Sequence, residues 1–149
     1  VGQLNLSPFS NIYLDTVVFI YAVEQAEGYQ GILAELWDQV ESQSITIICS
    51  ELIWTEILVI PLRQEDNLLI DAYEVLLSSP RIQLAPVTSP ILKEAARLRA
   101  MISSLRTPDA IHLATAKLWD CCQFVTNDKK LRGLLDFPVV ILDDMMEEA

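Results

Sequence analysis

Histidine and cysteine are nearly absent from this 149-residue chain, which holds one His and three Cys. The cysteines, Cys49, Cys121 and Cys122, are odd in number and two are vicinal, which argues against a disulfide framework. A lone imidazole, His112, and the lack of any Cys-x-x-Cys pair argue against structural zinc. The thiols read as small buried apolar groups in a reducing cytoplasm. Long apolar runs are missing too: none approaches the ~18 uncharged residues of a membrane span, so no membrane association is expected. The mean hydropathy of +0.32 therefore points to a well-filled globular core. The N-terminal residues have neither the basic flank nor the apolar centre of a signal peptide. Without Gly/Ser tracts, repeats or low-complexity blocks, residues 1–149 are expected to form one domain. No Ser/His/Asp or Cys/His arrangement sits in a local context that supports nucleophilic catalysis.

What the chain has in excess is carboxylate. Asp and Glu number 21 against 10 Lys and Arg, for a net charge of −11. The imbalance is uneven: residues 1–92 carry 12 acids and 2 bases, whereas residues 93–132 carry 4 acids and 8 bases. The bulk charge argues against tight, nonspecific nucleic-acid binding. The local basic segment leaves room for a polyanionic substrate, and the acid excess elsewhere suits a basic partner.

Strand-like and helix-like segments alternate. Residues 12–16, 45–49, 82–85, 122–126 and 139–142 are apolar, largely β-branched runs of the kind that a buried parallel sheet uses. Between them, helical periodicity covers about 18–25, 29–43, 50–61, 64–77, 90–103 and 107–118. Ser50 and Thr107 are the expected N-caps of their helices, and Pro61 the expected interruption. Thr107-Pro108-Asp109 combines a cap, a first-turn proline and a first-turn acid. The separations suit right-handed crossovers, so a parallel sheet covered by helices is expected, its strand order open. The acidic tail, residues 143–149, is expected to fray.

Ligands of such folds gather beyond the carboxyl ends of the strands. Asp15 and Asp128 stand where the first and fourth strands exit, Glu56 follows the second strand, and Asp109 opens the helix before the fourth. Four carboxylates around one cleft repel one another unless a cation compensates. Mg²⁺ or Mn²⁺, bound through oxygen, supplies that compensation and can orient water beside a phosphodiester. His112 reads as a packed or hydrogen-bonded helix residue, and Trp54 and Trp119 as core or interface anchors.

The ordered set Leu14-Asp15-Thr16, Thr55-Glu56-Ile57-Leu58, Pro108-Asp109-Ala110-Ile111-His112-Leu113-Ala114-Thr115-Ala116 and Phe124-Val125-Thr126-Asn127-Asp128 resembles the PIN-domain family, in particular its VapC-like toxin ribonucleases. The resemblance spans residues 12–142. It implies a three-layer α/β/α sandwich with a central, mainly parallel sheet. It further implies Mg²⁺- or Mn²⁺-dependent hydrolysis of RNA, with Asp15, Glu56, Asp109 and Asp128 around the metal and Thr126 supporting them. Arg97, Arg99, Arg106, Lys129, Lys130 and Arg132 are candidates for RNA contact. A homodimer is implied, as is a small antitoxin whose basic segment reaches the acidic site. One residue departs from the pattern: many relatives carry Asn or Ser two positions after the first Asp, where this chain has Val17. Valine cannot coordinate or hydrogen-bond, so a weakened metal site is expected, and a non-catalytic PIN-like regulatory protein is the competing reading.

Overall fold

Short β-branched and aromatic runs supply five strands in the computed structural model, which describes residues 3–146. They are β1 (Asn11–Leu14), β2 (Thr46–Ser50), β3 (Ile82–Ala85), β4 (Gln123–Thr126) and β5 (Val139–Ile141). All pair in parallel, in the order β3-β2-β1-β4-β5. Alternation along each strand then populates two faces. Ile12, Leu14, Ile47, Cys49 and Val125 point to one side, and Tyr13, Ile48 and Phe124 to the other.

Helices bury both faces. On the first lie α1 (Thr16–Val23), α2 (Gln30–Ser42), α3 (Ile53–Ile57), α4 (Val59–Arg63) and α5 (Asn67–Leu77). Ile32, Leu33, Leu36 and Val40 form the buried stripe of α2, at the three- and four-residue spacing the sequence shows. On the second face lie α6 (Ser89–Met101) and α7 (Thr107–Leu118). Every residue of α7 from Ala110 to Ala116 is buried, because the helix is enclosed by the sheet and α6. The result is a three-layer α/β/α sandwich whose sheet is wholly parallel. Among the described residues, no helix is long and apolar enough to cross a membrane.

The strand order positions the site. From β1 the chain moves outward to β2 and β3, then returns to place β4 on the other side of β1. The carboxyl ends of β1 and β4 therefore flank the point where the winding reverses, and a crevice opens there.

Several expected boundaries shift, each for a local reason. The first strand ends at Leu14, so Asp15 caps α1 instead of closing the strand. Ser50 is the last residue of β2, because pairing with β3 continues until the Glu51 amide meets the Ala85 carbonyl. Its hydroxyl accepts from the Leu52 amide in the turn that follows. The helix around Pro61 breaks three residues earlier, at Leu58, since a proline ring clashes with the carbonyl four residues back. Arg106, not Thr107, is the N-cap of α7, and it caps without a side-chain bond. The tail is not frayed at its start: Leu142–Met145 forms a 3-10 turn. The rest of that expectation, residues 147–149, lies outside the described residues.

Candidate active site

Asp15, Glu56, Asp109 and Asp128 all line one open cleft of about 420 Å³ over the winding reversal. Thr16, Val17, Ile20, Tyr21, Arg106, Thr126 and Asn127 complete its wall. Each carboxylate arrives by a different local device. Asp15 leaves the end of β1 and caps α1, its Oδ1 accepting from the Thr16 amide at 2.8 Å. Its Oδ2 accepts from the Thr126 hydroxyl at 2.7 Å. Asp128 follows β4 and caps the 3-10 turn Lys129–Leu131, its Oδ1 accepting from the Lys130 amide at 3.0 Å. Glu56 projects from α3, and Asp109 from the first turn of α7.

Thr126 is fully buried and touches two of the four acids. While its hydroxyl donates to Asp15, its oxygen accepts from the Asp128 amide at 3.1 Å. One side chain at the end of β4 thus fixes Asp15 relative to the Asp128 backbone.

The second organiser is His112. Spaced three residues from Asp109, it lies on the same side of α7. Its ring is almost fully buried, and Nε2 lies 2.6 Å from Glu56 Oε1 and 4.0 Å from Asp15 Oδ1. Nδ1 meets the Tyr13 hydroxyl at 2.5 Å, and that hydroxyl accepts from the Ser50 amide at 3.0 Å. The expected packed, hydrogen-bonded helix histidine is therefore there, but its partner belongs to the cleft. The i, i+3 spacing to Asp109 is the sequence signal for this placement.

Electrostatics follow from burial. Burial pushes the Asp15 carboxyl above its usual range, against the opposing pull of His112 and of the Thr126 and Thr16 hydrogen bonds. Burial acts the same way on Glu56, but the hydrogen bond and charge of His112, with Thr16, outweigh it and hold Glu56 below its usual value. For His112 itself burial disfavours the cation, yet the Glu56 hydrogen bond and the surrounding Asp15, Glu56 and Asp109 charges lift it above its ordinary value.

The cations distribute unequally. Arg106 lines the acidic cleft and an adjoining one that also includes Asp109, Asp128 and Lys130. Its Nε stands 3.5 Å from Asp109 Oδ2. Arg97 instead pairs with Glu94 on α6, and Arg99 donates to the Leu105 carbonyl. Lys129 faces Asp143, and Arg132 pairs with Asp144. None of these four lines either cleft.

Asn127 is a residue that sequence reasoning passed over. Its Oδ1 accepts from the Asp143 amide at 2.9 Å, and its Nδ2 lies near Tyr21, Tyr29 and Asp143. Asn127 thereby ties the C-terminal 3-10 turn to the cleft wall.

Among the described residues, no three His, Cys, Asp or Glu side chains form a group that could hold a metal ion as they stand. Several of the carboxylate oxygens are turned onto protein donors: both of Asp15 are bonded, and Glu56 Oε1 faces His112 and Thr16.

Comparison with solved structures returns the same architecture. VapBC-1 from nontypeable Haemophilus influenzae superposes with a TM-score of 0.71 at 16% identity, covering 89% of this chain and 98% of that one. A toxin–antitoxin complex from Klebsiella pneumoniae gives 0.66 at 22% identity, covering 88% and 97%. VapC20 from Mycobacterium tuberculosis, described as a sarcin-ricin loop cleaving toxin, gives 0.65 at 15% identity, covering 84% and 97%. At these identities the likeness is one of fold. No curated protein matches the sequence significantly. The PIN-domain profile matches residues 12–134, a span that starts in β1, passes through β4 and takes in all four acids of the cleft. By that match the chain belongs to the PIN-domain family.

Proposed function

We propose that the chain is a Mg²⁺- or Mn²⁺-dependent endoribonuclease, acting as the toxin of a toxin–antitoxin pair. The observation that carries this reading is the meeting of Asp15, Glu56, Asp109 and Asp128 in one cleft at the winding reversal. The donor chemistry suits such a metal: the four acids offer oxygen, which hard divalent cations prefer, and the cleft wall contains no thiol. Asp15, Glu56, Asp109 and Asp128 would hold the ion. When bound, it would polarise the scissile phosphate and offset charge that develops during hydrolysis. Thr126 keeps Asp15 and the start of the 3-10 turn in register. Arg106 and Lys130, on the adjoining cleft, are suited to gripping flanking phosphates of a single strand. Arg97, Arg99, Lys129 and Arg132 are weaker contributors, each having a protein partner.

The partner side of the proposal rests on charge and kinship. An acidic cleft in a chain of net charge −11 favours a basic inhibitory segment from a small antitoxin. One of the structural neighbours is described as a toxin–antitoxin complex and another as a toxin. A homodimer working in the cytoplasm completes the proposal.

The test is divalent-metal-dependent cleavage of RNA by purified, antitoxin-free protein, with each acid neutralised separately. EDTA should abolish cleavage, and Asp15→Asn should lower it by on the order of 10²-fold or more, the scale of a lost electrostatic contribution. Cleavage that survives both would overturn the proposal.

A second reading is a PIN-like regulatory protein with little catalysis. Val17 on the cleft wall, and carboxylates already engaged by protein donors, favour it. Val17→Asn separates the two: the nuclease reading expects tighter Mn²⁺ binding and faster cleavage, and an unchanged metal response would remove Val17 as a defect.

A further inference from the structure

His112 is the lone histidine of the chain, yet it is buried against the acidic cleft and held at both ring nitrogens. We propose that His112 is a positioning residue: braced by Tyr13, it fixes the Glu56 carboxylate for metal binding. This rests on the metal-dependent reading of the cleft.

The geometry runs as one chain of hydrogen bonds from the sheet to the site. Tyr13 is fully buried, its ring stacked on Phe124 at 4.9 Å with the planes 8° apart, so its hydroxyl has a fixed location. The Ser50 amide donates to that hydroxyl, which meets Nδ1 of His112. Across the ring, Nε2 faces Glu56 Oε1. An unprotonated Nε2 would set a lone pair against a carboxylate at 2.6 Å, so this nitrogen carries the hydrogen and donates. Thr16 Oγ1 donates to the same oxygen at 2.9 Å. Glu56 Oε1 is thus held by two donors, while no described residue donates to Oε2, which is left to face an ion.

The need for such a device follows from where Glu56 sits. Its helix, α3, is five residues long and is followed directly by the break at Leu58. A Glu side chain has three torsions to fix, and ordering them costs entropy at the moment of binding. Partners of a ligating carboxylate that remove this freedom are commonly worth 10–100-fold in metal affinity, on the order of magnitude of measured outer-shell losses.

Two substitutions isolate the effect. Gln at 112 can present an amide hydrogen near the place of Nε2, whereas Asn reaches only to the place of Nδ1. Mn²⁺ binding to purified protein, read by electron paramagnetic resonance, should weaken by about tenfold or more in His112→Asn and return to within about threefold of wild type in His112→Gln. In a Glu56→Gln background, His112→Asn should cost nothing further. Tyr13→Phe is the second route: it keeps the imidazole but removes its brace, and should also weaken Mn²⁺ binding. Independently of any metal, nitrogen-15 NMR of the imidazole should show a hydrogen-bonded Nε2–H that changes in Glu56→Gln. A folded His112→Asn that binds Mn²⁺ as wild type does, or an equal loss in Asn and Gln variants, overturns the positioning role alone. If the wild type takes up no Mn²⁺ while the NMR hydrogen bond is intact, the metal reading of the cleft fails, and this proposal with it.

Discussion

Because the Thr126 hydroxyl donates to Asp15 and its oxygen accepts from the Asp128 amide in a buried spot, it has no isosteric apolar substitute. Thr126→Val keeps the shape but leaves an acceptor and a donor unpaired, which typically costs about 1–3 kcal/mol. Urea unfolding should show that loss, whereas Thr126→Ser, which retains the hydroxyl, should show much less. A different residue adds to acid sensitivity. Glu94 on α6 accepts from Arg97 and from Lys117 of α7 at 2.8 Å, and the two cations hold its carboxyl down to about 2 from an ordinary 4.5. A depressed carboxyl contributes stability that is complete above its unfolded value and lost as pH falls through the folded one. Between about pH 4.5 and 2, the wild type should therefore lose more stability than Glu94→Gln. Parallel acid-unfolding curves for the two would exclude a role for this contact.

At the scale of elements, α7 is where packing is least forgiving. Ala110, Ala114 and Ala116 have no exposed surface, and their small side chains let the helix lie close between the sheet and α6. Ala114→Leu would add volume with nowhere to go, a change that costs about 1–3 kcal/mol in well-packed cores. A lowered denaturant midpoint with an unchanged slope is the expected result. The same elements show what the sequence carried. The strands were legible because strands buried on both sides are written as uninterrupted β-branched runs, Ile45 to Cys49 above all. Their ends were not, since pairing partners decide them: β2 runs through Ser50 only because β3 lies beside it. Strand order is likewise a property of the assembled sheet. Within the cleft, the four acids could be read from their places after strands and at helix starts. His112 was harder to read, because its meaning comes from Tyr13 and Glu56, which are 99 and 56 residues away in the chain. Arg97 and Arg99 are each engaged locally, with partners in and just after their own helix, which their sequence positions alone did not disclose.

For the whole molecule, the distribution of charge limits how the proposed RNA substrate would be held. A surface of net charge −11 repels a polyanion except along the rim supplied by Arg106 and Lys130. Two phosphate contacts to a single strand correspond to a slope of about −1.4 in log affinity against log salt. Single-stranded RNA titrations at several salt concentrations should give a slope near that value, and Arg106→Ala should halve it; a slope far steeper would mean that other cations take part. The winding of the sheet has a consequence in time as well. β1 and β4 are neighbours in space, yet more than a hundred residues separate Asp15 from Asp128 along the chain. A chain emerging from the ribosome has made its first carboxylate long before its last, and Thr126 emerges only two residues ahead of that last one. Contacts this far apart in sequence form late. The cleft therefore cannot assemble until the stretch through Asp128 has been made, so the four acids come together only after every strand that flanks them has emerged.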